Sequence, residues 1–206
     1  MKQQLLIVHG GMTFDTKKAY LRYLKTRPVV LRKKAKWSEA YLDRALGTKF
    51  QIIRPRMPLS ENAKYADWKI AFERYIPLLR RNAILIGSSL GGCFLAKYLS
   101  EHRYPKKLRA VYLVCPPFDN THSIASDKLY GGFVLKKNLS LLESNARKLT
   151  LMFSHDDPSV PPYHAKRFAQ ALPGAKVVMY RNKRGHFRVS AFPEIVRMLK
   201  ADVGRK

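Results

Sequence analysis

The sequence predicts an α/β fold, a doubly wound and mostly parallel sheet of about six strands with helices on both faces. Short apolar runs alternate with stretches of helical periodicity along the chain. Most of those runs are nearly continuously apolar, as strands covered on both faces must be. The chain has 206 residues, which suits a single domain over 1–206 that buries its core without disulfides or metals. An apolar content of 46% argues against a disordered chain.

Strands are expected at 5–9, 50–54, 83–87, 108–115, 149–154 and 176–181. Helices are expected where apolar residues recur at helical spacing. Residues 17–25 carry Tyr20, Leu21 and Leu24, and 38–46 carry Tyr41, Leu42, Ala45 and Leu46; both read as surface helices. Residues 67–79 present Trp68, Phe72, Ile76 and Leu79, and 90–99 present Phe94, Leu95, Tyr98 and Leu99. Further helices follow at 164–172, stopped by Pro173-Gly174, and at about 191–199. Pro116-Pro117 ends the fourth strand, and residues 116–148 lose clear periodicity; this segment is expected to cover the active-site end of the sheet. The expected strand order is second, first, third, fourth, fifth, sixth, with functional groups gathered outside the carboxyl ends of the strands.

The most informative motif is Gly87-Ser88-Ser89-Leu90-Gly91, which follows the apolar run at 83–86 and opens the helical pattern. A nucleophile on a sharp strand-to-helix turn adopts strained backbone angles, so small residues are needed on either side. The following helix aims its N–H groups at charge developing beside Ser89. A Ser-based triad in this setting runs Ser, then Asp or Glu, then His. Asp157, past the fifth strand in Asp157-Pro158-Ser159-Val160-Pro161, and His186, past the sixth in Gly185-His186-Phe187, satisfy that order. His186 would act as general base and Asp157 would fix its tautomer. The N–H of Leu90 and that of Gly11, after the first strand, would form the oxyanion hole.

Other groups fit less well. Asp156 competes with Asp157, although the Asp-Pro-x-Val-Pro pattern favours Asp157. His9 and His155 at strand ends read as loop anchors, and His102, His122 and His164 as surface residues. Cys93 lies on the helix after the turn rather than at its tip, so Ser89 is the expected nucleophile. Phe118, Phe133 and Leu135 are candidates for an acyl pocket.

Taken together, Leu6-Ile7-Val8-His9-Gly10-Gly11, the 55–58 loop leading to Trp68, the turn around Ser89, Asp157-Pro158 with Val160-Pro161, and Gly185-His186-Phe187 resemble compact α/β-hydrolases of the retinoblastoma-binding-protein-nine and YdeN type. The resemblance covers nearly the whole chain. It implies an α/β-hydrolase fold, serine hydrolase activity, and catalytic roles for Ser89, Asp157 and His186. Two departures stand out: Ser88 occupies a position where the family usually has His, and the insertion between the first two strands is longer and more basic. The expected activity is cleavage of a carboxylic ester, with thioester or amide as alternatives, on a small acyl substrate and without a cofactor.

Composition adds one further expectation. The apolar run at 5–8 is too short for a secretory signal, and no segment approaches the roughly 20 apolar residues of a membrane span, so a cytoplasmic protein is expected. Cys93 and Cys115 read as reduced, buried thiols, and no ligand spacing indicates a metal. Forty Lys and Arg against 14 Asp and Glu give a net charge of +26. The basic residues recur along the whole chain rather than in one stripe, densest from 17 to 36. The charge therefore reads first as a solvated surface bias that would give no more than nonspecific polyanion binding, and the rival reading is a fold used mainly to bind RNA or another polyanion.

Overall fold

The apolar runs form β1 (Gln3–Val8), β2 (Phe50–Ile53), β3 (Ile84–Ser88), β4 (Ala110–Val114), β5 (Leu149–Ser154) and β6 (Lys176–Tyr180). A computed structural model describes residues 1–31, 34–121 and 128–204; His122, and Arg32 and Lys33 of the basic stretch, lie outside the described residues. The sheet order is β2-β1-β3-β4-β5-β6, the order expected, and every neighbouring pair is parallel. β4 and β5 are buried throughout, whereas β2 and β6 lie at the edges and are only partly covered. The register pairs Val8 with Gly87 and Ser88 with Val114, so β1, β3 and β4 end level. The strand order reverses between β1 and β3, which opens a crevice at their carboxyl ends.

The helices are α1 (Lys17–Thr26), α2 (Leu42–Leu46), α3 (Tyr65–Glu73), α4 (Leu90–Glu101), α5 (Ser140–Asn145), α6 (Pro162–Ala171) and α7 (Pro193–Gly204). Several differ from the expected spans for identifiable reasons. The helix expected at 38–46 is broken at Glu39, because the Arg54 guanidinium draws the Ser38 and Glu39 carbonyls and the Asp43 carboxylate towards itself. α3 stops at Glu73 rather than running to 79, since Pro77 has no N–H to give to the Glu73 carbonyl. α1 buries no residue; its Tyr20 and Tyr23 rest on Phe14. α5 arises inside the stretch that showed no period.

The core beside the crevice is aromatic. Trp68, Phe72, Phe94 and Phe133 are fully buried and meet mostly edge to face, with centroids 5.3–5.8 Å apart. Such pairs add about 0.5–1.5 kcal/mol beyond area burial. Trp68 also donates its indole N–H to the Pro58 carbonyl at 2.8 Å, tying the loop after β2 to α3. His164 is fully buried rather than on the surface: its Nδ1 accepts the Phe118 N–H at 3.1 Å, which fixes the loop after β4. Among the described residues, no helix is long and apolar enough to cross a membrane.

Candidate active site

The chain leaves β3 through Ser89, whose backbone (φ 54°, ψ −123°) lies in a region costing about 1–3 kcal/mol for a residue with a side chain. Its surroundings hold it there. The Ser89 N–H donates to the Val114 carbonyl at 2.8 Å, and the Ser89 carbonyl accepts from Gly92 at 2.8 Å and Cys93 at 3.0 Å. The turn closes only because glycines flank it. A Cβ on Gly87 would lie 2.4 Å from the Gly91 carbonyl oxygen, and one on Gly91 would lie 2.3 Å from that of Val8.

His186 enters from the far edge of the sheet on a loop with left-handed Arg184, Gly185 and Phe187. Asp156 holds this loop by accepting the N–H groups of Lys183 at 2.9 Å and Gly185 at 2.7 Å, and the Ser154 hydroxyl. Burial tends to raise the pKa of Asp156, but these donors outweigh it and bring the carboxyl down to about 2. Asp157 is buried and its Oδ1 accepts the N–H groups of Ser159 and Val160 at 2.9 and 3.0 Å. The two neighbouring aspartates thus have separate tasks: Asp156 anchors the loop, and Asp157 faces the imidazole.

His186 Nδ1 lies 2.8 Å from Asp157 Oδ2 and 3.0 Å from Oδ1, while Nε2 lies 2.8 Å from Ser89 Oγ. An ionised carboxylate only accepts hydrogen bonds, so Nδ1 carries the proton and Nε2 turns its lone pair to the Ser89 hydroxyl. Burial disfavours the imidazolium, but the Cys115 sulfur and the Asp157 carboxylate more than offset this and hold the imidazole pKa well above its ordinary range. Cys115 Sγ is 3.8 Å from Nε2. The donor atoms of Cys115, Asp157 and His186 all lie within 4.8 Å of one another, close enough for a metal ion. They do not converge, however, because Asp157 grips Nδ1 while the sulfur faces Nε2.

Ser89 and His186 open onto a cleft of about 400 Å³, which Gly11 and Leu90 also line. His9 anchors the loop beneath it: Nδ1 donates to the Gly10 carbonyl at 2.7 Å and Nε2 accepts the Met57 N–H at 3.1 Å. The C=O and N–H of a trans peptide point in opposite directions. Holding the Gly10 carbonyl therefore turns the Gly11 N–H the other way.

The expected acyl-pocket residues are not at this cleft. Phe133 is sealed in the aromatic core, and Phe118 and Leu135 border a separate depression near Arg167. The cleft walls are instead Met12, Tyr23, Leu129 and Val160, with the cations Lys128 and Arg188 among the lining. Pro117, Lys128 and Leu129 come from the 116–148 segment, tied to the loop after β1 by Thr13, which donates to the Lys128 carbonyl and accepts the Tyr130 N–H. Arg188, two residues past His186, had a positional signal; Tyr23 had none.

A profile of the serine hydrolase family matches residues 32–200. The chain belongs to the serine hydrolase family. No curated protein matches it by sequence. Among solved structures it is similar to the ydeN gene product of B. subtilis, with a TM-score of 0.76 and 19% identity over 99% of this chain and 100% of the other. A YdeN-like hydrolase from Pectobacterium atrosepticum gives 0.65 and 18% over 97% and 90%. A carboxylesterase from Lactobacillus plantarum gives 0.61 and 13% over 98% and 84%. At these identities the structural likeness speaks for the fold, and the α/β-hydrolase assignment rests on it together with the parallel six-stranded sheet.

Proposed function

We propose that the protein hydrolyses small carboxylic esters through Ser89, His186 and Asp157. The observation that carries this reading is the unbroken hydrogen-bonded chain from Ser89 Oγ through both ring nitrogens of His186 to the buried Asp157 carboxylate, placed on the wall of an open cleft. Ser89 Oγ attacks the acyl carbonyl as His186 Nε2 takes its proton. The tetrahedral oxyanion accepts hydrogen bonds from the N–H groups of Leu90, at the start of α4, and Gly11. Collapse breaks the bond to the alcohol, which leaves with the proton from His186. Water, deprotonated in turn by Nε2, then attacks the acyl-enzyme and releases the acid and Ser89.

Esters come before amides because an alkoxide leaves with less help from the acid than an amine does; a thiolate needs less still, so the leaving group does not separate thioesters from esters. A cleft of about 400 Å³, at the small end of ligand sites, suits a short acyl group held by Met12, Leu129 and Val160. Turnover of p-nitrophenyl acetate and butyrate tests the reading. Wild type should turn over both, and Ser89→Ala should fall to the buffer rate; equal rates for the two proteins would overturn it.

A further inference from the structure

The basic residues look diffuse along the chain, but a parallel sheet brings the starts of all its strands to one end. Lys2 precedes β1, Lys49 precedes β2, Arg81 precedes β3, Lys107 precedes β4, Arg147 precedes β5, and Lys176 opens β6. All six are exposed, and among the described residues none forms an ion pair. Arg80, beside Arg81, and Arg109 join Lys2 and Lys49 in lining a depression of about 820 Å³, twice the volume of the Ser89 cleft.

Acidic residues are partitioned the other way. Asp15, Glu61, Asp119, Asp156 and Asp157 follow β1, β2, β4 and β5, at the carboxyl end. At the amino end, Glu73 accepts from the Tyr98 hydroxyl, Glu143 accepts the Gly174 N–H, and Asp202 pairs with Lys148 at 2.7 Å. Topology thus gathers Lys2, Lys49, Arg80, Arg81, Lys107, Arg109, Arg147 and Lys176 at the end of the sheet opposite the cleft.

We propose that this face binds the phosphate backbone of double-helical nucleic acid, without regard to sequence. Carried back along the strands, the register sets Lys49, Lys2, Arg81 and Lys107 level across four strands spaced about 4.8 Å apart, a row about 14 Å long, with Arg147 and Lys176 stepped two and five residues further along theirs. Duplex DNA carries one phosphate per ~1.7 Å of helix axis counting both strands, so a stretch about 14 Å long offers about eight phosphates, enough partners for the six exposed cations. The depression between the cations is lined by Gln3, Thr48 and Asn82, groups that hydrogen-bond to phosphate and sugar oxygens. Tyr104, the aromatic nearest Lys107 in the loop before β4, is buried. Single strands are usually held by stacking on exposed rings, so a duplex is the better fit. The two ends are about 20 Å apart along β5, more than two Debye lengths at physiological salt, so duplex binding and the cleft are electrostatically separate.

Fluorescence anisotropy with a labelled duplex of about 24 base pairs tests this. Six neutralised phosphates predict a slope of log K against log salt near −5, about a 10³-fold loss between roughly 50 and 200 mM. A wild-type slope shallower than about −2 overturns the proposal. Arg81→Glu with Lys107→Glu should flatten the slope by about 2, while Lys17→Glu with Lys18→Glu on α1, an equal charge change, should leave it within about 0.5. Circular dichroism confirms that each variant is folded. Equal weakening by the two pairs would mean that charge alone, not this face, drives binding. Tight binding to phosphatidylserine vesicles without binding to the duplex would assign the face to membranes instead.

Discussion

Gly91 is where the packing of the sheet and the geometry of the nucleophile meet, and Gly91→Ala tests both. The added Cβ would lie 2.3 Å from the Val8 carbonyl oxygen and 2.4 Å from that of His9. Ordinary contact begins near 3.4 Å, so about 1 Å must be found. Both partners are backbone of the central strand β1 or its end, and neither can rotate aside. The first turn of α4 must therefore lift, carrying Ser89 with it. Overpacking of this kind costs about 1–3 kcal/mol. For a chain of this length, each kcal/mol lowers Tm by about 2–4 °C, so 3 kcal/mol predicts a fall of about 6–12 °C. A displacement of about 1 Å between reacting groups costs about 10²-fold in rate. Gly92→Ala is the control: its Cβ would meet the Gly87 carbonyl oxygen and Pro116 Cβ at 3.1 Å, a few tenths too close, and should be nearly neutral. Thermal melts and ester turnover measured side by side decide the matter. A Gly91→Ala protein with wild-type Tm and turnover would refute the reasoning.

Three further outcomes are expected. Asp157→Asn keeps an oxygen for the Ser159 and Val160 N–H groups and so should fold normally, yet lose about 10⁴-fold in kcat by favouring the wrong His186 tautomer, as in other Ser-His-Asp triads. On the proposed mechanism His186 serves as base only when neutral, and with its pKa raised kcat/KM should climb as pH rises through a midpoint above the ordinary imidazole range. Asp156→Asn turns an amide NH₂ towards one of the N–H groups it now accepts and should cost about 1–3 kcal/mol at neutral pH. Because the folded pKa of Asp156, about 2, lies below the ordinary 3.8, the carboxylate's contribution is complete above pH 3.8 and fades as pH falls towards 2. The urea midpoints of wild type and variant should therefore converge across that window.

The strands were legible because burial on both faces leaves them nothing but apolar residues, and β4 and β5 show that directly. The order of Ser89, Asp157 and His186 was legible because each follows a strand, and parallel topology delivers strand ends to one place. The 116–148 segment was not. Its contacts are long-range, such as Thr13 with the Lys128 carbonyl and the Tyr130 N–H, and leave no period in sequence. Phe133 went to the core rather than the cleft for the same reason: Trp68 and Phe94 supply the aromatic surroundings that bury it, and both lie far away in the chain. His164 likewise sits on a helix whose pattern is amphipathic, but the loop after β4 covers it. The grouping of part of the charge was not legible, since only the strand order shows that Arg81, Lys107 and Arg147 share a face.

The claim that Ser89 is an activated acyl nucleophile is tested most directly by intact-protein mass spectrometry after treatment with a fluorophosphonate. One adduct per chain is expected in wild type, mapped by proteolysis to the peptide containing Ser89, and none in Ser89→Ala. Undiminished labelling of Ser89→Ala, or an adduct mapped to another residue of the wild-type chain, would contradict the account.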